Sequence, residues 1–386
     1  MDGAGLEVPL PHVIKGPYKG NFWTIFMKDM EKLQSEPTTE NLEQIIGKHL
    51  SRTTNNYGMP IQLLNLRSVL KDKNSEELIQ FIAVTALGLP DLFSSGTIRC
   101  LERQRAAKIE LSRKQVGCLL SHMFLCTILV NNDAKTHCGH FTGARAPTGP
   151  LTFVNWLARE RYGPTHIYLS SLMLFFKDLV SMSEEQLAEK VTFERVVRST
   201  AERDWNPENS SAPILEVVVH DDGRIGDIEQ VELDFANKHV GFGTSGTQEE
   251  LILGTSPETC VIVLFNEVLE TNEAVLITGV KRYGDYSGYG NSSRFTGAST
   301  QTWNWKERRI LAIDAICGPR DQLSDNTFDR ELCKAWTGFQ AVKAGKIFFL
   351  YFYNYIHKTC RARQFPLVIG VVAPLGAILG SNAWSR

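Results

Sequence analysis

Residues 231–250 read Val231-Glu-Leu-Asp234-Phe-Ala-Asn237-Lys-His-Val-Gly241-Phe-Gly243-Thr-Ser-Gly246-Thr-Gln248-Glu249-Glu250, an alternating run that enters a glycine-dense loop and ends in two carboxylates. Val231–Phe235 alternates apolar with acidic positions, the period of a strand. The glycines that follow let a backbone come close to phosphate or ribose. Taken alone, Gly241-x-Gly243-x-x-Gly246 also fits the dinucleotide-binding fingerprint, with Glu267 near the distance expected of a ribose-binding acid. In that fold the pyrophosphate sits at the N-terminus of the helix after the glycines, held by free N–H groups and the helix dipole. Glu249 and Glu250 would stand at that place and repel it. Two carboxylates beside a glycosidic bond are instead what acid/base chemistry uses, so glycosidic chemistry is favoured over a Rossmann-type oxidoreductase. The plainer alternative is a helix start, where acidic residues are stabilised by the dipole whatever the function.

Outward from this stretch the texture differs on the two sides. Downstream, Pro257–Leu269 fits a helix opening at proline, Ala274–Gly279 a buried strand, Arg309–Ala315 another strand, and Asn326–Phe339 a helix; with the β-branched Ile214–His220, the order predicts an α/β sheet. Upstream, apolar residues recur at helical spacing from Phe22 to about Val130, as in Leu63, Leu66, Val69 and Leu70, or Val116, Leu119, Leu120, Met123 and Phe124. Ser183–Val197 reads as a charged helix whose Ser183 and Gln186 form a capping box. A soft boundary falls near Asn206–Pro213.

The chain has 386 residues, 43% hydrophobic and 22% charged, which excludes disordered and fibrous classes. A formal net charge of −2 gives no global basic excess for nucleic acid, so a polyanionic substrate needs a local site. Eight cysteines without a Cys-x-x-Cys spacing, in a chain too long to need stapling, point to a reducing compartment. The acidic Met1–Pro11 carries no export pattern, leaving nucleus or cytoplasm as the expected location. Ile347–Ile356 and Pro366–Gly380 are apolar but each shorter than the roughly 20 residues of a membrane span. His137-Cys138-Gly-His140 crowds its ligands too closely for structural zinc, and Gly338 to Gly345-Lys346 has the wrong spacing for a phosphate-binding loop. No metal and no cofactor is expected.

Around the loop, Asp234–Asn237, Gly241–Gly243, Gln248–Glu250 and Pro257-Glu258 resemble the signature of the poly(ADP-ribose) glycohydrolase family. Tyr286-Ser-Gly-Tyr289-Gly is similar to that family's tyrosine clasp, Ile313-Asp314-Ala315 to its central strand, and Leu111-Ser112 with Gln115 and Leu119-Leu120 to its accessory-domain helix. The resemblance implies an α/β macrodomain, a mixed sheet with flanking helices, preceded by a mainly helical accessory domain: residues 1–206 accessory, 207–340 catalytic, 341–386 an aberrant apolar tail. It implies hydrolysis of ribose–ribose bonds of poly(ADP-ribose) on modified proteins, in the DNA damage response, by a monomer with no direct DNA or RNA readout and no membrane. Glu250 would protonate the leaving ribose oxygen and then activate water, Glu249 would orient the ribose, and Asp234 and Asn237 would line the cleft. Gly241, Gly243, Gln248, Ile225 and Gly226 would contact the nucleotide, and Tyr289 would cover the diphosphate.

Two departures from the family pattern stand out. Gly243 and Gln248 are closer together than the pattern has them, and Phe242 replaces the middle glycine. A displacement of about 1 Å can cost on the order of 100-fold in rate, so an ADP-ribose-binding module without turnover is the alternative. Beyond Phe339 the family's glycine-rich diphosphate loop is missing. Back-translated and read one base later, that loop yields Leu367–Ile378, so a shifted reading frame is expected there, with intron-derived sequence upstream of it.

Overall fold

In a computed structural model of the chain, the structure describes residues 5–14, 22–53, 62–71, 75–128, 151–158, 163–198, 217–219, 231–302, 304–314, 325–342 and 369–371. Five strands form the main sheet, in the order Ala107–Ser112, Lys190–Val197, Glu273–Thr278, Arg309–Asp314, Val231–Ala236. The first four pair antiparallel, and Val231–Ala236 joins the edge parallel to Arg309–Asp314 with Asp234 opposite Ala312. The sheet is therefore mixed, as the resemblance implies.

The period of two in these strands sorts their side chains onto two faces. Leu233, Leu276, Leu311 and Ile313 form a small core with Phe339 and Val342 of the helix Asp325–Val342. Val275, Ile277, Ile310, Ala312 and Ala236 belong to the large core, which runs on without a break into the helices Phe22–Ser35, Thr39–Thr53, Ser75–Leu87, Arg113–Phe124 and Pro164–Ser181. Asp234 lies between the two cores on the strand that ends at the glycine loop.

The expected elements from Val231 onward are present, with boundaries moved by one to five residues and Pro257–Leu264 wound as a 3₁₀ helix. One expectation upstream needs correcting. The capping box at Ser183 and Gln186 exists, but its helix stops at Ala188 and the chain continues as the strand Lys190–Val197. Val191 and Phe193 of this strand enter the large core and Val196 is buried on its other face, so strand alternation outweighs the charged composition there. The mainly helical accessory region also supplies two of the five strands of the sheet. Of the expected aberrant tail, residues 341–342 end the helix Asp325–Val342, Ile369–Val371 pairs antiparallel with Val217–Val219, and the rest lies outside the described residues, as do Ile225, Gly226 and His137–His140. No helix among the described residues is long and apolar enough to cross a membrane.

Candidate active site

The strand Val231–Ala236 delivers Asp234 to a position without solvent exposure. Neither of its carboxyl oxygens meets a hydrogen-bond donor among the described residues. After the strand, Asn237 to Thr247 forms the glycine loop, and the helix Gln248–Thr255 begins with the two glutamates in its first turn. Gln248 fixes this helix to the sheet. Its Nε2 donates to the Leu233 carbonyl at 2.6 Å, and its Oε1 accepts from the Phe235 N–H at 3.0 Å. A side-chain amide thus completes the ladder on the open edge of the sheet, satisfying groups that would otherwise be unpaired.

Held in that register, Glu249 turns back towards the strand end and accepts from the Asn237 N–H at 3.0 Å, while its other oxygen meets no donor among the described residues. Glu250 lies against Gly243. A β-carbon at that glycine would come within 2.8 Å of Glu250 Oε1, so the glycine gives the carboxylate its room. Glu250 Oε2 is likewise buried without a donor.

Burial and mutual repulsion keep protons on two members of this cluster, Asp234 and Glu249. Asp234 is raised well above the ordinary carboxyl range, first by burial and then by Glu249, Glu232 and Glu250. Glu249 is pushed up to about 8, by burial and then by Glu250, against the opposing N–H groups of Asn237 and Gly241. At neutral pH, Glu249 is therefore largely protonated.

The tyrosine clasp is a two-stranded ribbon, Gly284–Ser287 with Arg294–Ala298, whose tip carries Tyr289 at 40% exposure. Gly288 (φ 78°) and Gly290 (φ 58°) make the left-handed turn on either side of it. This tip docks on the glycine loop: the Gly290 N–H donates to the Gly246 carbonyl at 2.8 Å, and a side chain at Gly246 would strike the Gly290 carbonyl.

The expected residues Asp234, Asn237, Gly241, Gly243, Gln248, Glu249, Glu250 and Tyr289 thus gather around one loop, although the Gln248 amide is taken up by the strand and Gly241 faces Val263. Sequence reasoning missed the aromatic residues beneath the loop. Trp156 Nε1–H donates to the Gly243 carbonyl at 2.7 Å, the Tyr168 hydroxyl donates to the Ser245 carbonyl at 2.5 Å, and Phe242 packs against both Phe153 and Trp156 at ring distances of 4.9 and 5.0 Å. Nothing in their spacing distinguishes them from ordinary core aromatics.

The glycine turn does not suit a pyrophosphate, because the Glu250 carboxylate rests on it where a dinucleotide fold presents free N–H groups. Fold and site together define a mixed-sheet α/β protein with a cluster of three carboxyl groups at a glycine loop. Residues 203–359 match the family model described as poly(ADP-ribose) glycohydrolase, macro domain fold, and residues 68–195 match that family's helical domain. The chain belongs to the poly(ADP-ribose) glycohydrolase family. The match runs past the boundary expected at residue 340.

Similar proteins include poly(ADP-ribose) glycohydrolase 1 of Arabidopsis thaliana, 29% identical over 258 residues that cover 63% of this chain and 44% of that protein. Probable poly(ADP-ribose) glycohydrolase 2 of the same plant is 32% identical over 142 residues, 34% of this chain and 27% of the relative. Poly(ADP-ribose) glycohydrolase 2 of Caenorhabditis elegans is 28% identical over 135 residues, 30% and 28% of the two chains. The chain thus spans less than half the length of each of these relatives.

Proposed function

We propose that the chain hydrolyses ribose–ribose O-glycosidic bonds of poly(ADP-ribose) and releases ADP-ribose, with Glu250 as general acid and base. The observation that carries this reading is the cluster of Asp234, Glu249 and Glu250 at the end of the glycine loop, with Asp234 fully buried and at least one oxygen of each carboxyl buried without a donor among the described residues. Asp234 and Glu249 hold their protons above the ordinary carboxyl range, and Glu250 stands beside them as the group that meets the glycosidic oxygen. Glu250 passes a proton to the departing ribose oxygen as the glycosidic C–O bond breaks and an oxocarbenium-like centre develops. Water then adds to that carbon and returns its proton to the Glu250 carboxylate. Glu249, largely protonated at neutral pH, donates to a ribose hydroxyl and orients the sugar. Asp234 and Asn237 line the same cleft, the glycine loop brings its backbone to the nucleotide with Ile225 and Gly226, and the exposed Tyr289 covers the diphosphate.

The substrate is the polymer attached to modified proteins, met by a monomer in the nucleus or cytoplasm during the DNA damage response. Recognition runs through ADP-ribose, with no direct DNA or RNA readout and no membrane. Incubating the chain with protein-linked poly(ADP-ribose) and following free ADP-ribose tests the reading. Glu250→Gln should lower release by roughly 10²- to 10⁴-fold. A folded wild-type chain that releases nothing would sink it. The short spacing from Gly243 to Gln248 favours one second reading, an ADP-ribose-binding module, which would retain the polymer without cleaving it.

A further inference from the structure

The glycine loop is braced from below by the helical part of the chain, and the brace leads to Glu250. Trp156 sits on the short helix Val154–Ala158, fully packed at 1% exposure, and its indole N–H reaches the Gly243 carbonyl. The Glu250 carboxylate rests on the α-carbon of that same glycine. Two residues on, the Ser245 carbonyl accepts from Tyr168, whose ring lies flat enough on Gly254 that any β-carbon there would come within 2.2 Å of it. Tyr168 therefore touches both the loop and the helix that carries Glu250. Burial, with Glu250 next in weight, pushes its hydroxyl far from ionising, so it stays a donor. Asn65 ties the brace to its surroundings: fully buried, it donates to the Trp156 carbonyl at 2.7 Å and to the Thr165 carbonyl at 3.3 Å.

Phe242 completes the arrangement. It stands where the family pattern has a glycine, and its ring abuts the stacked pair Phe153–Trp156, tilted to one and edge-on to the other at 4.9 and 5.0 Å. A glycine there would supply no such attachment. The loop that is short in sequence is thus fastened by one aromatic side chain pointing down and by two hydrogen bonds pointing up.

We propose that Trp156, supported by Phe242 and Tyr168, is a positioning residue for Glu250: it fixes the Gly243 carbonyl and so the surface on which the catalytic carboxylate lies. This rests on the glycohydrolase reading for its effect on rate, while the bracing itself can be read without turnover. Trp156→Phe removes the indole N–H and keeps an aromatic ring in the stack, and Tyr168→Phe removes a single hydroxyl.

Each variant should speed amide hydrogen exchange across Gly243–Glu250 and leave the strand Arg309–Asp314 as slow as in the parent chain. With poly(ADP-ribose), Trp156→Phe should lower kcat by roughly ten-fold with KM kept within about two-fold, because aim and not affinity is lost. Parental exchange across the loop in both variants overturns the proposal, as does parental kcat in a variant whose loop exchanges faster. A parent chain without turnover defeats the glycohydrolase reading, and loop exchange then still decides the bracing on the same terms.

Discussion

Two kinds of buried charge occur on this sheet, and they behave in opposite ways. On one side, Glu258 meets the guanidinium of Arg113 and accepts from the Lys281 N–H at 2.6 Å; Glu273 meets Arg195 at 2.5 Å; Glu232 meets Arg308 at 2.6 Å. All six side chains are at most 2% exposed. At the loop, Asp234, Glu249 and Glu250 are gathered with no cation against them and with oxygens that meet no donor among the described residues. Paired buried ions lock elements together. At the loop, burial and crowding instead keep protons on Asp234 and Glu249 beside Glu250, the kind of surroundings in which acid catalysis is set up.

The strongest way to break this contrast is to unpair one of the locked ions. Glu258→Ala takes the buried carboxylate from the buried Arg113, leaving it Glu189 at 3.7 Å and the Gly279 carbonyl, and should lower unfolding free energy by up to about 3–5 kcal/mol in a denaturant titration. Glu250→Gln should leave the denaturation midpoint close to that of the parent while turnover collapses. A Glu258→Ala chain as stable as its parent would erase the distinction.

The next test uses pH. Asp234 and Glu249 keep their protons to higher pH in the folded chain than in the unfolded one. For Glu249 the folded chain therefore binds more protons between its ordinary 4.5 and about 8, and stability falls as pH rises through that window. Glu249→Gln should flatten the slope by up to about 1.4 kcal/mol per pH unit inside the window and leave it unchanged below it. Thermal or denaturant midpoints from pH 4 to 9 would show this, and an unaltered slope would mean that Glu249 does not hold its proton.

The smallest effect is expected at Gln248. Gln248→Ala strands the Leu233 carbonyl and the Phe235 N–H on the sheet edge, which should cost about 1–2 kcal/mol. Turnover should fall further than that loss alone implies, since the first turn of the helix carries both glutamates. Equal stability in the variant would show that the amide is dispensable to the edge.

Much of this was legible in the sequence, and the reasons are local. Period-two alternation marked Val231–Ala236, a proline opened Pro257–Leu264, and adjacent glutamates after a glycine loop disclosed the carboxyl cluster. What escaped is non-local. The Ser183 capping box announces a helix but not its end after one turn, and only pairing with Glu273–Thr278, some 80 residues on, makes Lys190–Val197 a strand. The use of the Gln248 amide as a backbone rung likewise depends on an edge whose neighbours are set by topology. Trp156 and Tyr168 looked like any packed aromatics until the loop was seen lying on them.

The sheet that carries the site is assembled from both halves of the chain, and this bears on how the protein is made. Lys190–Val197 leaves the ribosome some 80 residues before Glu273–Thr278, so for about a fifth of synthesis one of its flanks presents unpaired backbone groups beside the apolar Phe193. A nascent chain in that state is a template for wrong pairing. The first half made by itself would keep that open border permanently and tend to associate, and the second half made by itself would bare Glu273–Thr278 in the same way. Yield of soluble protein should therefore depend on keeping residues 107–314 in one polypeptide.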